Sequence, residues 1–167
     1  MLDPIKIRPA TNADLPFLRE MLSEAAAVSE TIRLMSSEQV LALPLMLRIL
    51  ENQGRRGDFG FVAETGDGSR AGAIWARLFP ENERGHGFVS AEIPELAVAV
   101  APAFRGRGVG TKLLENLISE ARKLNYPALS LSVARQNPAL KLYRRLGFAD
   151  AEVSAHTDSS LTMILRF

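Results

Sequence analysis

The chain has 167 residues, 47% of them apolar and 23% charged, with 20 basic against 19 acidic side chains and no cysteine. That balance fits one folded domain over 1–167 and excludes disordered, collagen-like and disulfide-stapled classes, and also thiolate metal sites and cysteine nucleophiles. The longest apolar stretch, Val40 to Leu47, contains Pro44 and stops at Arg48, while Asp3, Lys6 and Arg8 leave no apolar leader at the start, so the expected setting is cytoplasmic with no membrane contact.

In chain order, Ile5 to Pro9 reads as a first strand. Thr11-Asn12-Ala13-Asp14 follows, a Thr-x-x-Asp helix start ahead of the apolar run Leu15, Leu18, Met21, Leu22. Ser36-Ser37 opens a second helical stretch through Val40, Leu43, Leu47 and Leu50, which the segment Gly54 to Asp58 ends. Phe59 to Glu64 and Ala71 to Phe79 read as a hairpin joined by Thr65-Gly66-Asp67-Gly68. Pro80 to Gly87 is a polar loop, and Ile93 to Val100 is a buried strand. Val109, Leu113, Leu114, Leu117, Ile118, Ala121 and Leu124 recur at helical spacing, whereas Leu129, Leu131 and Val133 alternate with Ser130 and Ser132 as a strand does. Pro138 to Leu146 is a helix closed by Gly147, and Leu161 to Leu165 is a last strand. This order, with room for one more strand, is α+β (mixed α/β). The crossover from 93 to 133 should set its two strands parallel or nearly so.

Charge is unevenly spread along this order. Residues 101–150 hold nine Lys/Arg against three Asp/Glu, and residues 51–100 hold five against eight. A basic block beside an acidic one suits an anionic ligand on one side and a cationic one on the other. The near-neutral total and an aromatic content of 7% argue against a nucleic-acid partner.

The chemistry concentrates in Arg105-Gly106-Arg107-Gly108-Val109-Gly110-Thr111, between a strand and an amphipathic helix. Alternate glycines let backbone approach a ligand, and the helix start offers unpaired N–H groups and a positive dipole end. Together they form an anion cradle suited to phosphate or pyrophosphate, with Arg105 and Arg107 adding charge. A dinucleotide fingerprint fails, because the sixth position from Gly106 is Thr111 and from Gly108 is Leu113. A P-loop fails because Thr111 precedes Lys112. With His86 and His156 the only histidines, no metal site is supported.

The run from Val100 to Gly110, an Arg-x-x-Gly-x-Gly after a strand, resembles the acyl-CoA motif of the GCN5-related N-acetyltransferases. A second signature of that family is similar to Asn137-Pro138-Ala139-Leu140-Lys141-Leu142-Tyr143-Arg144-Arg145-Leu146-Gly147-Phe148, and Ile7-Arg8-Pro9-Ala10-Thr11 with Asp14 resembles its opening. The resemblance implies a mixed, mostly antiparallel sheet of six to seven strands flanked by about four helices, with splayed near-parallel strands at the acyl-CoA site. It implies transfer of an acetyl group from acetyl-CoA to a primary amine on a small molecule or peptide, and leaves a homodimer open. Val98, Ala99 and Val100 would carry the pantetheine arm. Gly106, Arg107, Gly108, Val109, Gly110 and Thr111, with Arg105, would hold the pyrophosphate, and Asn137 would bond the arm at the strand opening. Tyr143 would sit near the thioester sulfur as proton donor. Glu95 is the first choice of base and Glu92 the second. A non-catalytic acyl-CoA sensor would keep the cradle and dispense with Glu95 and Tyr143. Trp75 and Phe79 are read as packing residues and His86 as an exposed loop residue.

Overall fold

In the computed structural model, residues 4–26, 34–51, 54–152 and 159–167 are described, and His156 lies outside them. Seven strands form one sheet: β1 (Lys6–Pro9), β2 (Phe59–Glu64), β3 (Arg70–Arg77), β4 (Glu95–Val100), β5 (Ala128–Ala134), β6 (Ala149–Asp150) and β7 (Ser160–Arg166), in the order β1-β2-β3-β4-β5-β7-β6. Every neighbouring pair is antiparallel except β4 with β5. The helices are α1 (Leu15–Ala26), α2 (Ser37–Leu41), α3 (Pro44–Leu50), α4 (Val109–Lys123) and α5 (Ala139–Arg145). The sheet, the hairpin and the parallel crossover match the sequence expectations. The single helical stretch expected after Ser36 is instead two helices. Pro44 cannot donate a backbone hydrogen bond within a helix, so α2 ends and α3 starts on the proline.

Alternation along the strands assigns each helix its face. Ile74 and Ala76 of β3 and Leu96 of β4 pack with Val109, Leu113, Leu114 and Leu117 of α4 on one side. Ala73, Trp75 and Ala99 pack with Phe17, Leu18, Met21 and Leu22 of α1 on the other. The Thr-x-x-Asp start before α1 forms as expected. Asp14 accepts from the Thr11 backbone N–H at 2.8 Å and takes both guanidinium nitrogens of Arg8, each at 2.8 Å. Those partners hold its carboxyl well below the usual carboxylate range, the Arg8 hydrogen bonds first among the causes. Strand β1 is thereby tied to the helix that follows it.

A buried arginine fixes α3. Arg77 is 1% exposed at the end of β3. Its guanidinium donates to both Asp58 oxygens at 2.9 and 2.6 Å and to the carbonyls of Arg48 and Glu51 at 2.8 and 2.6 Å. The carbonyls lie at the C-terminal end of α3, where helix carbonyls lack intrahelical donors and a cation is favoured. One side chain therefore caps the helix and binds it to the sheet. Asp58→Ala would leave this buried cation without its carboxylate, and loss of one partner of a buried pair costs on the order of 3–5 kcal/mol. Urea unfolding of Asp58→Ala should show a loss of that size; a loss below about 1 kcal/mol would mean the pair does not brace α3.

Candidate active site

Strands β4 and β5 meet at one register pair, Glu95 with Ser130, where the Ser130 N–H donates to the Pro94 carbonyl at 3.0 Å. Beyond that pair they diverge. Which backbone groups this leaves unpaired follows from the other edge of β4. Ala101 N–H donates to Ala71 O, and the register runs Ala73 with Ala99 and Trp75 with Ala97. In an antiparallel pair, alternate residues turn both N–H and C=O to the partner strand. Ala97 and Ala99 therefore face β3, and Val98 and Val100 turn their polar groups toward the gap. The Val100 carbonyl is met there by Arg105 Nε at 3.1 Å. Of the three expected strand positions, Val98 and Val100 present backbone to the gap and Ala99 does not.

The cradle lies beyond the end of β4. Gly106 and Gly108 have φ of 72° and 77°, a left-handed backbone that disfavours other residues, and a Cβ on either would meet nothing within 4 Å. Chain packing does not require these glycines; the turn does, and it leaves open space above the backbone. Gly108 caps α4, and the first intrahelical bond is Lys112 N–H to Gly108 O at 3.1 Å. The N–H groups of Val109, Gly110 and Thr111 are thus unpaired within the helix, at its positive dipole end. The two arginines are arranged differently from the sequence expectation. Arg105 pairs with Glu24 of α1 at 2.8 Å, and Arg107 lies over the Phe104 ring at 5.8 Å.

Tyr143 is positioned by caps at both ends of the seven-residue α5. At the start, Asn137 Oδ1 accepts from the Ala139 N–H at 2.9 Å, which leaves the side-chain NH2 to donate elsewhere. At the end, Gly147 has φ of 98°, Phe148 N–H donates to Tyr143 O, and Gly147 N–H to Arg144 O, a Schellman closure. The closure brings the Phe148 ring edge-on to Tyr143, with centroids 5.9 Å apart. Burial pushes the Tyr143 hydroxyl up to about 12, so it keeps its proton throughout the working range.

Glu95 is enclosed by a loop that the sequence placed only as polar. Gly87 N–H donates to Glu95 Oε1 at 2.9 Å, while Oε2 is buried with no partner among the described residues. A Cβ on Gly85 would fall on that carboxylate, and one on Gly87 would come within 2.7 Å of the β5 backbone at Leu131 and Ser132. The two glycines let the loop lie flat across β4 and β5, and Thr162 Oγ1 donates to the His86 backbone carbonyl at 3.2 Å to hold it there. Desolvation raises the Glu95 carboxyl to about 7, against the smaller lowering effect of Gly87. A carboxylate that titrates near neutrality is matched to taking a proton from an ammonium group. Glu92, the second choice, is exposed.

Glu95, Val98, Asn137 and Tyr143 border one cavity of about 220 Å³, with His86 at its rim and Leu22, Met46 and Ile49 in its α1 and α3 walls. The exposed loop histidine thus also faces the cavity. Trp75 and Phe79 pack, each 3% exposed. Among the described residues no cluster of His, Asp or Glu could hold a metal ion, and no helix is long and apolar enough to cross a membrane. The parallel pair opens after its first contact, with the glycine turn and the start of α4 beyond one end and an enclosed carboxylate and a buried tyrosine along the gap.

Residues 21–148 match the model of the Acetyltransferase (GNAT) family, and the chain belongs to it. It is 44% identical over 64 residues to an uncharacterized N-acetyltransferase of Methanocaldococcus jannaschii, a match covering 38% of this chain and 27% of that protein. It is 42% identical over 55 residues to the L-methionine sulfoximine/L-methionine sulfone acetyltransferase of Salmonella typhimurium, covering 32% of each. These matches span about a third or less of the curated relatives' lengths. The fold is similar over 97% of this chain and 99% of the other to a ribosomal-protein-alanine N-acetyltransferase from Brucella melitensis, with TM-score 0.68 and 29% identity.

The enclosure of Glu95 has a pH signature. Its carboxyl is raised from 4.5 to about 7 in the folded chain, so the folded state holds this proton more tightly than the unfolded state does. Its contribution is therefore most favourable below the lower value and is lost as pH rises through the higher one. Glu95→Gln has no charge to desolvate. Relative to wild type it should gain roughly 3 kcal/mol of stability between pH 4 and pH 8.5. Denaturation midpoints that move in parallel for both proteins across that range would place Glu95 in solvent.

Proposed function

We propose that this chain transfers an acetyl group from acetyl-CoA to a primary amine by direct attack, and that Glu95 and Tyr143 are its base and acid. The observation that carries the reading is the shared cavity, in which an enclosed carboxylate with a near-neutral pKa and a buried, protonated tyrosine flank an open strand edge. Family membership supports it independently.

The residues fit acetyl-CoA at three points. The space above Gly106 and Gly108 admits the pyrophosphate against the N–H groups of Val109, Gly110 and Thr111. The backbone of Val98 and Val100 can bond the pantetheine amides as a missing strand would. Asn137, whose Oδ1 is taken by the Ala139 N–H, borders the same cavity and has its NH2 left to donate. Bound there, acetyl-CoA supplies an activated thioester. Glu95 accepts a proton from the incoming ammonium, directly or through water, and frees the nitrogen lone pair. The Val98 N–H, turned to the gap, would polarise the acyl carbonyl as the new N–C bond forms. When the C–S bond breaks, Tyr143 donates its proton to the departing sulfur, since a thiolate in a partly dry cleft is costly without a donor, and the second proton that the nitrogen sheds on becoming an amide returns to the phenolate through water.

The acceptor belongs in the other half of the cavity, where Leu22, Ala25, Met46 and Ile49 form an apolar wall beside Glu95. We assign it an amino group carried next to a compact apolar group, the α-amino group of an amino acid or of a peptide N-terminus. The activities named for the Salmonella typhimurium and Brucella melitensis proteins support that class. The cysteine-free composition suits a reducing compartment such as the cytoplasm. Thiol release should exceed background with L-methionine sulfone, L-leucine or an alanine-initiated peptide and be weakest with spermidine. The reverse order would move the acceptor to a different surface.

Two variants separate binding from chemistry. Gly108→Asp adds a carboxylate at the helix start where phosphates approach, so CoA affinity measured by calorimetry should fall at least about tenfold. Equal affinity would misplace the cradle. Tyr143→Phe keeps the ring against Phe148 and removes the hydroxyl, so turnover should fall roughly a hundredfold with CoA affinity nearly kept. Wild-type turnover in Tyr143→Phe, where chemistry limits the rate, would return the chain to the sensor reading.

A further inference from the structure

Two of the three buried side-chain polar atoms that lack a partner among the described residues are Trp75 Nε1 and Glu95 Oε2. Their residues lie on adjacent strands. The register pairs Arg77 with Glu95 and Trp75 with Ala97, so Trp75 and Glu95 are diagonal cross-strand partners. Both point to the same face of the sheet, within mutual reach of a long and an aromatic side chain. Both also border one small void of about 10 Å³, with Ile49, Arg77 and Phe79 completing its walls. A void of about that size holds one water when at least two polar groups can bond it, and here one group is a pure donor and the other a pure acceptor when ionised. An indole N–H buried without an acceptor and a carboxylate oxygen buried without a donor each carry a desolvation cost. A single water relieves both.

We propose that Trp75 is a positioning residue for acetyl transfer: through one enclosed water, its indole N–H holds Glu95 Oε2 in the orientation and ionisation state of a base. The inference rests on Glu95 serving as the base, and it adds a residue that touches neither acetyl-CoA nor acceptor. The water accepts from Trp75 and donates to Glu95, and donation to the charged form of an acid favours that form. Together with Gly87 N–H on Oε1, the water gives each carboxylate oxygen one donor. The other ionisable or charged groups facing Glu95 are few. The loop above brings His86, α5 brings Tyr143, and β3 brings Arg77, whose guanidinium is bound to Asp58. The parts of α1 and α3 that face the cavity are Leu22, Ala25, Ala26, Met46 and Ile49, which carry no charge.

Trp75 is the chain's one tryptophan, so its indole N–H gives a single resonance that needs no assignment. In 15N-labelled protein without acceptor or acetyl-CoA, that resonance should move with pH around the midpoint of Glu95, and the movement should vanish in Glu95→Gln. An indole signal that stays fixed between pH 5.5 and pH 8.5 would overturn the proposal. So would one that titrates equally in Glu95→Gln, since Glu95 could not then be the source of the change. This readout requires no turnover, so it can fail while acetyl transfer stands, and transfer can fail while it succeeds. For the reaction itself, Trp75→Phe removes the donor. The acidic limb of kcat/KM should shift upward by half a pH unit or more, with KM for acetyl-CoA within about twofold of wild type. An unshifted limb with reduced turnover would make Trp75 a packing residue only. Should Trp75→Phe fold poorly, the indole titration decides alone.

Discussion

The parting of β4 from β5 is the constraint on which the rest of this structure depends. A parallel pair normally continues its hydrogen bonds along the full overlap of two strands, and an open edge inside a sheet leaves polar groups unpaired. Here pairing stops after Glu95 and Ser130. The sheet tolerates the break because each strand has a full partner on its other side, β3 along the whole of β4 and β7 along the whole of β5. What is lost in the gap is therefore local, and it is available to a ligand that brings its own amides. The cradle at Gly106 to Thr111, the capped Tyr143 helix and the enclosed Glu95 all border the same break. They are useful because it exists.

Electrostatics in the site follow from enclosure more than from opposing charges. Glu95 is raised by desolvation, and Tyr143 is raised by desolvation alone. The strong ion pairs lie elsewhere, in Arg8 with Asp14 and Arg77 with Asp58, where they tie helices to the sheet. This separation has a physical logic. A cation beside Glu95 would lower its pKa and weaken it in the proposed role of base, and one beside Tyr143 would favour loss of the proton it is proposed to give. Arg77 is next to Glu95 in register, yet its guanidinium is committed to Asp58 and to the end of α3. The brace that shapes the cavity wall also keeps its charge occupied.

Much of this could be read before the fold was known. The alternate glycines before an amphipathic run gave the cradle, and Asn137 with Tyr143 and Gly147 gave a helix with defined ends. Their signals are local, within one turn of chain. What was not legible depends on distant contacts. Arg105 sits in the glycine run, but its partner Glu24 is 81 residues away, so its charge is drawn toward α1. Arg77 lies in a segment that reads only as one arm of a hairpin, and the packing of α3 and Asp58 on that end of the strand buries it. Gly85 and Gly87 did carry a signal. Two glycines flanking one residue, outside any turn required by a hairpin, mark a backbone that must lie close to something. The object was Glu95 and the β5 backbone. Charge and exposure alone make Gly85-His86-Gly87 a polar loop, and only the close approach that its glycines allow makes it a cover for Glu95.

The central claim is that the gap between β4 and β5 is the place where the carrier binds as a strand. Residue-resolved amide hydrogen exchange along β4, with and without CoA, tests it most directly. The account predicts that the Val98 and Val100 amides exchange fast in the free protein and become protected by at least about tenfold when CoA is bound, because protection follows hydrogen bonding of the amide. Ala97 and Ala99, bonded to β3, should be slow in both states. Protection of Val98 and Val100 that is already high without CoA, or that does not change with it, would contradict the account.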